Sequence, residues 1–251
     1  MKYAVVTGTS KGLGESVARL FLESDTNVIG VSRNTNKMLS EVAEENNKQY
    51  HHLSCDLAAV SSLEGLCLEI MGILRAGKAD IVYLVNNAAT VEPIDQAPNI
   101  DATALAAHFN LNAVAPMVLT NRLLKELTEI GIPLITAIIT SGAAEAPVYG
   151  WSAYCSSKAS LNMYTKTVAL EQRERNTENR IVAFSPGIMD TGMQGKIRAS
   201  SESEFAEVGK FQEYKKSNLL KDTDLVAGVL IDILLDENLQ NGEIYYAKNY
   251  L

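Results

Sequence analysis

Seven short β-branched, apolar runs recur along this chain with longer amphipathic stretches between them, and that alternation constrains the fold more than any other feature. The runs are Tyr3–Thr7, Asn27–Ser32, Gln49–Ser54, Ile81–Val85, Leu134–Thr140, Arg180–Ser185 and Glu243–Tyr246. Helical periodicity fills Gly14–Glu23, Leu57–Leu74, Ala102–Leu127, Ser152–Arg173 and Asp222–Leu235. Strand, helix, strand in this order predicts right-handed crossovers and a parallel sheet covered by helices on both faces. Several strands read as nearly unbroken apolar runs, as doubly buried parallel strands do. The expected fold class is α/β, a doubly wound parallel sheet of seven strands. No repeat or Pro/Gly/Ser linker divides the chain, so residues 1–251 are read as a single domain. The segment 187–221 lacks a strand, follows the sixth one and suits a flap over a site, with a helix near Glu202–Lys216.

Composition excludes several function classes. With 30 acidic against 22 basic residues the formal net charge is −8, which repels a polyanion, and no basic patch offsets it. Nucleic acid is therefore not an expected partner. Cys55, Cys67 and Cys155 are too few and too scattered for a disulfide framework or a zinc or redox site, so no metal is expected. His51 and His52 alternate across a strand and cannot share a metal. The N-terminus enters a strand directly, without a signal peptide's charged, apolar and small-residue regions, and the apolar run Ile132–Ile139 is far shorter than the ~20 residues that span a bilayer. A cytoplasmic protein without a membrane partner is expected.

Parallel sheets of this type bind ligands at the carboxyl ends of their strands. After the first strand comes TGTSKGLG, residues 7–14, in which Gly8, Gly12 and Gly14 lead into the first helix around Ser10, Lys11 and Leu13. Glycine permits a sharp turn and close approach of backbone to a pyrophosphate, and a helix N-terminus offers free N–H groups to that anion. The second strand ends Ser32-Arg33-Asn34, where an NAD site places an acid for the ribose 2′-hydroxyl. No acid stands there. Arg33 with Lys11 can instead hold a 2′-phosphate, which points to NADP(H); otherwise each is a solvated cation. Asp56-Leu57 follows the third strand, to hold an adenine or to cap the next helix. After the fourth, Asn86-Asn87-Ala88-Ala89 either pins neighbouring strands beside a ribose or forms a plain Asn turn.

Ser141 ends the fifth strand, while Tyr154 and Lys158 lie four apart near the start of the next helix and share a face. A phenol with a pKa near 10 is a poor acid-base group at neutral pH, and a neighbouring ammonium shifts it toward the working range. Lys158 can also hold a nicotinamide ribose, and Ser141 can bond the oxygen on which charge develops during hydride transfer. Tyr149 and Trp151 can wall an apolar substrate pocket, Met189 and Met193 can add adaptable apolar contact, and each can equally be packing. His108 reads as an ordinary residue on a helix face.

With these elements in place the chain resembles the short-chain dehydrogenase/reductase family along its whole length, through TGTSKGLG, Asp56-Leu57, NNAA, Asn112, Ser141, Tyr154 with Lys158, and Pro186-Gly187. The resemblance implies a Rossmann-type fold and a catalytic tetrad of Asn112, Ser141, Tyr154 and Lys158, with Asn112 holding a water in a proton relay. It also implies cofactor contacts from Asn87, Ala88, Ala89, Pro186, Gly187, Ile188, Met189 and Thr191. GWSAYCSSKASLNMYTKT at 150–167, FSPGIMDTGMQGKIR at 184–198 and NGEIY near the end are similar to the benzil reductase subgroup, related to sepiapterin reductases. That subgroup uses NADPH to reduce one carbonyl of a vicinal diketone. The expectation is therefore an NADPH-dependent carbonyl reductase acting on small carbonyl compounds as a homo-oligomer, dimer or tetramer. A pterin reductase and a non-catalytic NADPH sensor are the alternatives.

Overall fold

A computed structural model describes residues 1–251. Strands β1 (Lys2–Thr7), β2 (Asn27–Ser32), β3 (Tyr50–Ser54), β4 (Ile81–Asn86), β5 (Leu134–Ile139), β6 (Arg180–Ser185) and β7 (Ile244–Tyr246) form one sheet. All neighbours are parallel, in the order β3-β2-β1-β4-β5-β6-β7. The order reverses between β1 and β4, whose register pairs Val5 with Leu84, and ligand crevices of such sheets open at that point. In β1 and β4 every residue but the first is buried, as their unbroken apolar runs predicted. The edge strands β3 and β7 are only half-buried.

Nine α-helices surround the sheet: α1 (Leu13–Glu23), α2 (Lys37–Glu45), α3 (Leu63–Ala76), α4 (Ala102–Phe109), α5 (Ala115–Glu129), α6 (Ser152–Glu174), α7 (Gly192–Arg198), α8 (Val208–Lys216) and α9 (Thr223–Leu235). Two buried clusters of 25 residues each cover the faces, so neither face is left to solvent: Phe21 and Leu230 pack on one side, Ile70 and Leu123 on the other.

The structure departs from the sequence reading in three places that bear on the site. Helix α3 starts at Leu63 rather than Leu57, because Asp56 closes a turn by accepting from Ala58 N at 3.1 Å and a 3₁₀ turn, Val60–Ser62, intervenes. The predicted helix 102–127 is two helices separated by a π turn, Asn110–Val114. Although Ala102–Glu129 is by length and composition apolar enough to cross a membrane, its Leu119, Leu123 and Leu127 are committed to the core under the sheet. The flap holds two helices, α7 and α8. The second begins at Val208 because Ser201 and Glu204 fold into a turn of their own, with Ser201 N and Oγ both donating to Glu204 Oε2.

Candidate active site

A cleft of about 1320 Å³ lies at the carboxyl ends of the strands and under the flap. That exceeds the roughly 300–1,000 Å³ of a pocket for one small molecule and leaves room for a dinucleotide beside a substrate. At one end the chain runs through Gly8 and Gly12 at φ +77° and +64°, a left-handed conformation that glycine adopts without strain. A Cβ on Gly8 would lie 2.8 Å from Asn87 Nδ2, and one on Gly14 would lie 2.3 Å from the Gly8 carbonyl oxygen. The first turn of α1 has no side-chain cap, so its N–H groups stay open to an anion. Asn87 fastens this cradle to β4, its Nδ2 donating to the Thr7 carbonyl at 2.9 Å, while Thr7 Oγ1 accepts from Asn87 N and Ala88 N at 2.9 and 3.0 Å. These are features a bound pyrophosphate requires, and the residues present fit a nicotinamide dinucleotide.

Nearly every residue predicted to hold the cofactor lines this cleft: Ser10, Lys11 and Leu13 in the glycine turn; Arg33, Asn34, Asp56 and Leu57 after β2 and β3; Ala88 and Ala89 after β4; Pro186, Gly187, Ile188, Met189 and Thr191 after β6. Gly14 lies beneath it. Arg33 is exposed and makes no ion pair. Lys11 reaches toward the flap instead, its Nζ 3.4 Å from where a Cβ on Gly192 would stand. Asp56 does not cap α3, whose N-cap is Ser62.

Ser141, Tyr154 and Lys158 meet on the cleft floor. Ser141 Oγ accepts from Ala143 N at 3.2 Å, which fixes the side chain and leaves its O–H to donate. Lys158 is buried, donates to the Ile139 carbonyl at 2.8 Å and holds its Nζ 5.8 Å from the Tyr154 ring centroid. Burial pulls the Lys158 ammonium down to about 8. The phenol departs from the direction its lysine neighbour suggested: burial pushes Tyr154 up to about 12, with the Ser141 hydroxyl pulling the other way.

Asn112 stands behind the floor, buried, and both its side-chain atoms are engaged: Nδ2 donates to the Thr90 carbonyl at 2.7 Å and to His108 Nε2 at 3.1 Å, and Oδ1 accepts from Thr90 N at 2.9 Å. His108, predicted to be an ordinary helix-face residue, is instead buried in the site. Its Nδ1–H donates to the Glu92 carbonyl at 2.7 Å, and its ring meets Tyr154 edge-on at 6.3 Å. The spacing 108–112 puts both side chains on one face, which is the signal that could have found it.

The substrate end is aromatic. Trp151 stacks on Phe205 at 4.8 Å, and both meet Phe211 edge-on, at 5.6 and 5.3 Å. Trp151 also meets Tyr154 at 5.2 Å. Phe205, Val208, Phe211 and Tyr214 recur every third residue, a helical signal within the flap that marks its inner side. Met193 joins this wall, whereas Met189 packs against the core under α1. Tyr149 does not belong to the pocket: it is 47% exposed and lies outside the cleft, because Gly150 at φ +78° turns the chain between the two aromatics.

The family model for short chain dehydrogenases matches residues 2–202. A benzil reductase ((S)-benzoin forming) from Bacillus cereus is 36% identical over 97% of this chain and 98% of its own length. A sepiapterin reductase from Bos taurus is 27% identical over 95% and 91%. The crystal structure of the YIR035C short chain dehydrogenases/reductase from Saccharomyces cerevisiae, 27% identical, superposes with a TM-score of 0.83 over 98% of this chain and 96% of that one. Family match, parallel sheet and strand-end geometry agree, and the chain is a member of the short-chain dehydrogenase/reductase family of NAD(P)-dependent oxidoreductases.

Proposed function

We propose that the protein is an NADPH-dependent carbonyl reductase that reduces one carbonyl of a neutral vicinal diketone or related aryl ketone. The observation that carries this reading is the juxtaposition of Ser141, Tyr154 and Lys158 with the aromatic wall of Trp151 and Phe211, which Phe205 backs from within the core. Similarity to benzil reductase over nearly the whole chain supports it. NADPH rather than NADH is supported by the missing acid after β2 and the unpaired Arg33 in its place. Three unpaired thiols suit a reducing cytoplasm. We further expect a homo-oligomer.

In this reading the cofactor supplies the hydride to the carbonyl carbon. Ser141 and Tyr154 donate hydrogen bonds to the carbonyl oxygen, and these strengthen as that oxygen gains charge. Tyr154 then gives up its proton; a phenol held near 12 is fully protonated at neutral pH, as an acid in the reductive direction must be. Lys158 uses one N–H on Ile139 and keeps two for a ribose and for the phenolate left behind.

Following NADPH absorbance with benzil as substrate, in the wild type and in Tyr154→Phe, tests this. Wild-type turnover that falls ~10²-fold or more with cofactor affinity retained supports the role of a general acid. Near-normal turnover in the variant removes it, and sepiapterin reduced in preference to every diketone moves the substrate to the pterins.

A further inference from the structure

Two residues that line the cleft each carry a buried donor with no partner. Trp151 is 6% exposed and Gln194 is 4% exposed, and neither Trp151 Nε1 nor Gln194 Nε2 meets an acceptor. The orientation of the Gln194 amide is fixed by chemistry: its other atom accepts from Arg198 Nη1 at 2.8 Å, and a guanidinium only donates, so that atom is Oε1 and the orphan is the NH₂. A buried N–H left unmet is costly and calls for an explanation such as a ligand. The two residues come from separate elements, the start of α6 and the flap helix α7, yet line the same cleft as Ser141 and Tyr154. Carboxylates of the rim that could have served as acceptors are engaged elsewhere: Glu92 with Lys196, Glu207 with Lys210, and Glu145 with the Tyr246 hydroxyl. The same pairing neutralises Lys196 and Lys210, and Trp151 and Gln194 are themselves uncharged donors, suited to an uncharged oxygen.

We propose that Trp151 Nε1 and Gln194 Nε2 bind the carbonyl oxygen of the substrate that is not reduced, so that the site selects neutral 1,2-dicarbonyl compounds over monoketones of the same shape. This rests on the reading of the protein as a carbonyl reductase. Ser141 and Tyr154 serve the reacting oxygen, the two orphan donors serve its neighbour, and a dicarbonyl satisfies all four donors at once.

The probes are benzil and deoxybenzoin, which differ in whether the second carbon bears an oxygen. Trp151→Phe keeps an aromatic ring and removes the N–H; Gln194→Glu keeps the size and removes both N–H donors; thermal melting checks that each variant is folded. The expected result is a drop in the benzil-to-deoxybenzoin ratio of kcat/KM of roughly 5- to 10-fold in either variant, the scale of one neutral hydrogen bond. Taking a ratio within each variant removes the intrinsic reactivity of the diketone. A second readout needs no variant. The chain has a single tryptophan, so ¹⁵N labelling gives one indole N–H resonance, which should move downfield when benzil joins the NADP⁺ complex and stay in place with deoxybenzoin. Equal losses for both substrates, with a raised KM for the cofactor, would assign Gln194 to the dinucleotide and overturn the proposal, as would an indole resonance that ignores benzil. If the wild type reduces neither probe, the carbonyl reductase reading fails and this inference falls with it; if benzil is reduced and the ratios do not move, the inference alone fails.

Discussion

The side-chain amide of Asn112 donates to His108 Nε2 across 3.1 Å, one turn back along the same helical stretch. The imidazole is thereby an acceptor at Nε2 and a donor at Nδ1, the neutral tautomer, and burial lowers its pKa in the same direction. His108 joins Asn112 to the loop carrying Thr90 and Glu92, and Glu92 forms an ion pair with Lys196 of the flap. His108→Ala should therefore leave the Glu92 carbonyl and one Asn112 N–H unmet, costing about 1–3 kcal/mol in stability, and should slow turnover by loosening the floor under Tyr154. Urea unfolding and kcat measure the two effects. A stability change within ~0.5 kcal/mol would show that His108 is an ordinary surface-type position.

Burial that holds Lys158 near 8 has opposite consequences for activity and stability. Activity needs the ammonium, so kcat/KM for NADPH, which reports groups of the free enzyme, should fall as pH rises through about 8. Stability moves the other way. Between about 8 and the ordinary lysine value near 10.5 the unfolded chain holds a proton that the folded chain has released, so this group makes stability rise with pH. Melting temperatures recorded from pH 7.5 to 9.5 should show that contribution in the wild type and lose it in Lys158→Met. Identical slopes in both proteins would place the Lys158 pKa outside this window.

The chemistry at the strand ends was legible in the sequence because it depends on local spacing. A glycine turn after a strand, a serine ending another and a Tyr-x-x-x-Lys on the next helix are placed by the sheet itself. His108 was legible only as a neighbour of Asn112 on one helix face; its burial arises when Glu92, 16 residues back, and Ser157, 49 residues on, close around it. Tyr149 and Trp151 read as a pair, and one torsion at Gly150 separates them. Helix α7 escaped notice because GMQGKIR carries two glycines, which lower helix propensity by about 1 kcal/mol each relative to alanine. It is held by its packing on Trp151 through Ile197 and Met193, a tertiary contact.

Arg33 is the residue on which cofactor choice should turn. It is exposed, unpaired and directly after β2, beside the edge of the cleft where a dinucleotide's adenosine would end. Arg33→Ala should weaken NADPH binding roughly 10- to 150-fold, the loss of one hydrogen bond to a charged group, and leave NADH nearly unchanged. Dissociation constants from protein fluorescence provide the comparison. Equal weakening of both cofactors would make Arg33 a solvated cation and remove the main support for NADPH preference.

Gly150 decides whether the flap can seat. Its φ of +78° is strained for any residue with a Cβ, and a Cβ there would lie 2.1 Å from the Glu204 carbonyl oxygen, immediately before fully buried Phe205. Backbone strain of this kind costs about 1–3 kcal/mol, and so close an approach cannot be relieved by a side-chain rotation. Gly150→Ala should push the 201–206 turn outward, withdraw Phe205 from Trp151 and unseal the aromatic end. The core clusters on the sheet faces do not include this segment, so the melting temperature should drop only modestly. Limited proteolysis should cut near 199–206 much faster than in the wild type, and the KM for benzil should rise more than the KM for the cofactor. Wild-type cleavage rates with an unchanged benzil KM would mean that the flap seats without the Gly150 contact, and that the aromatic wall is held by α8 alone.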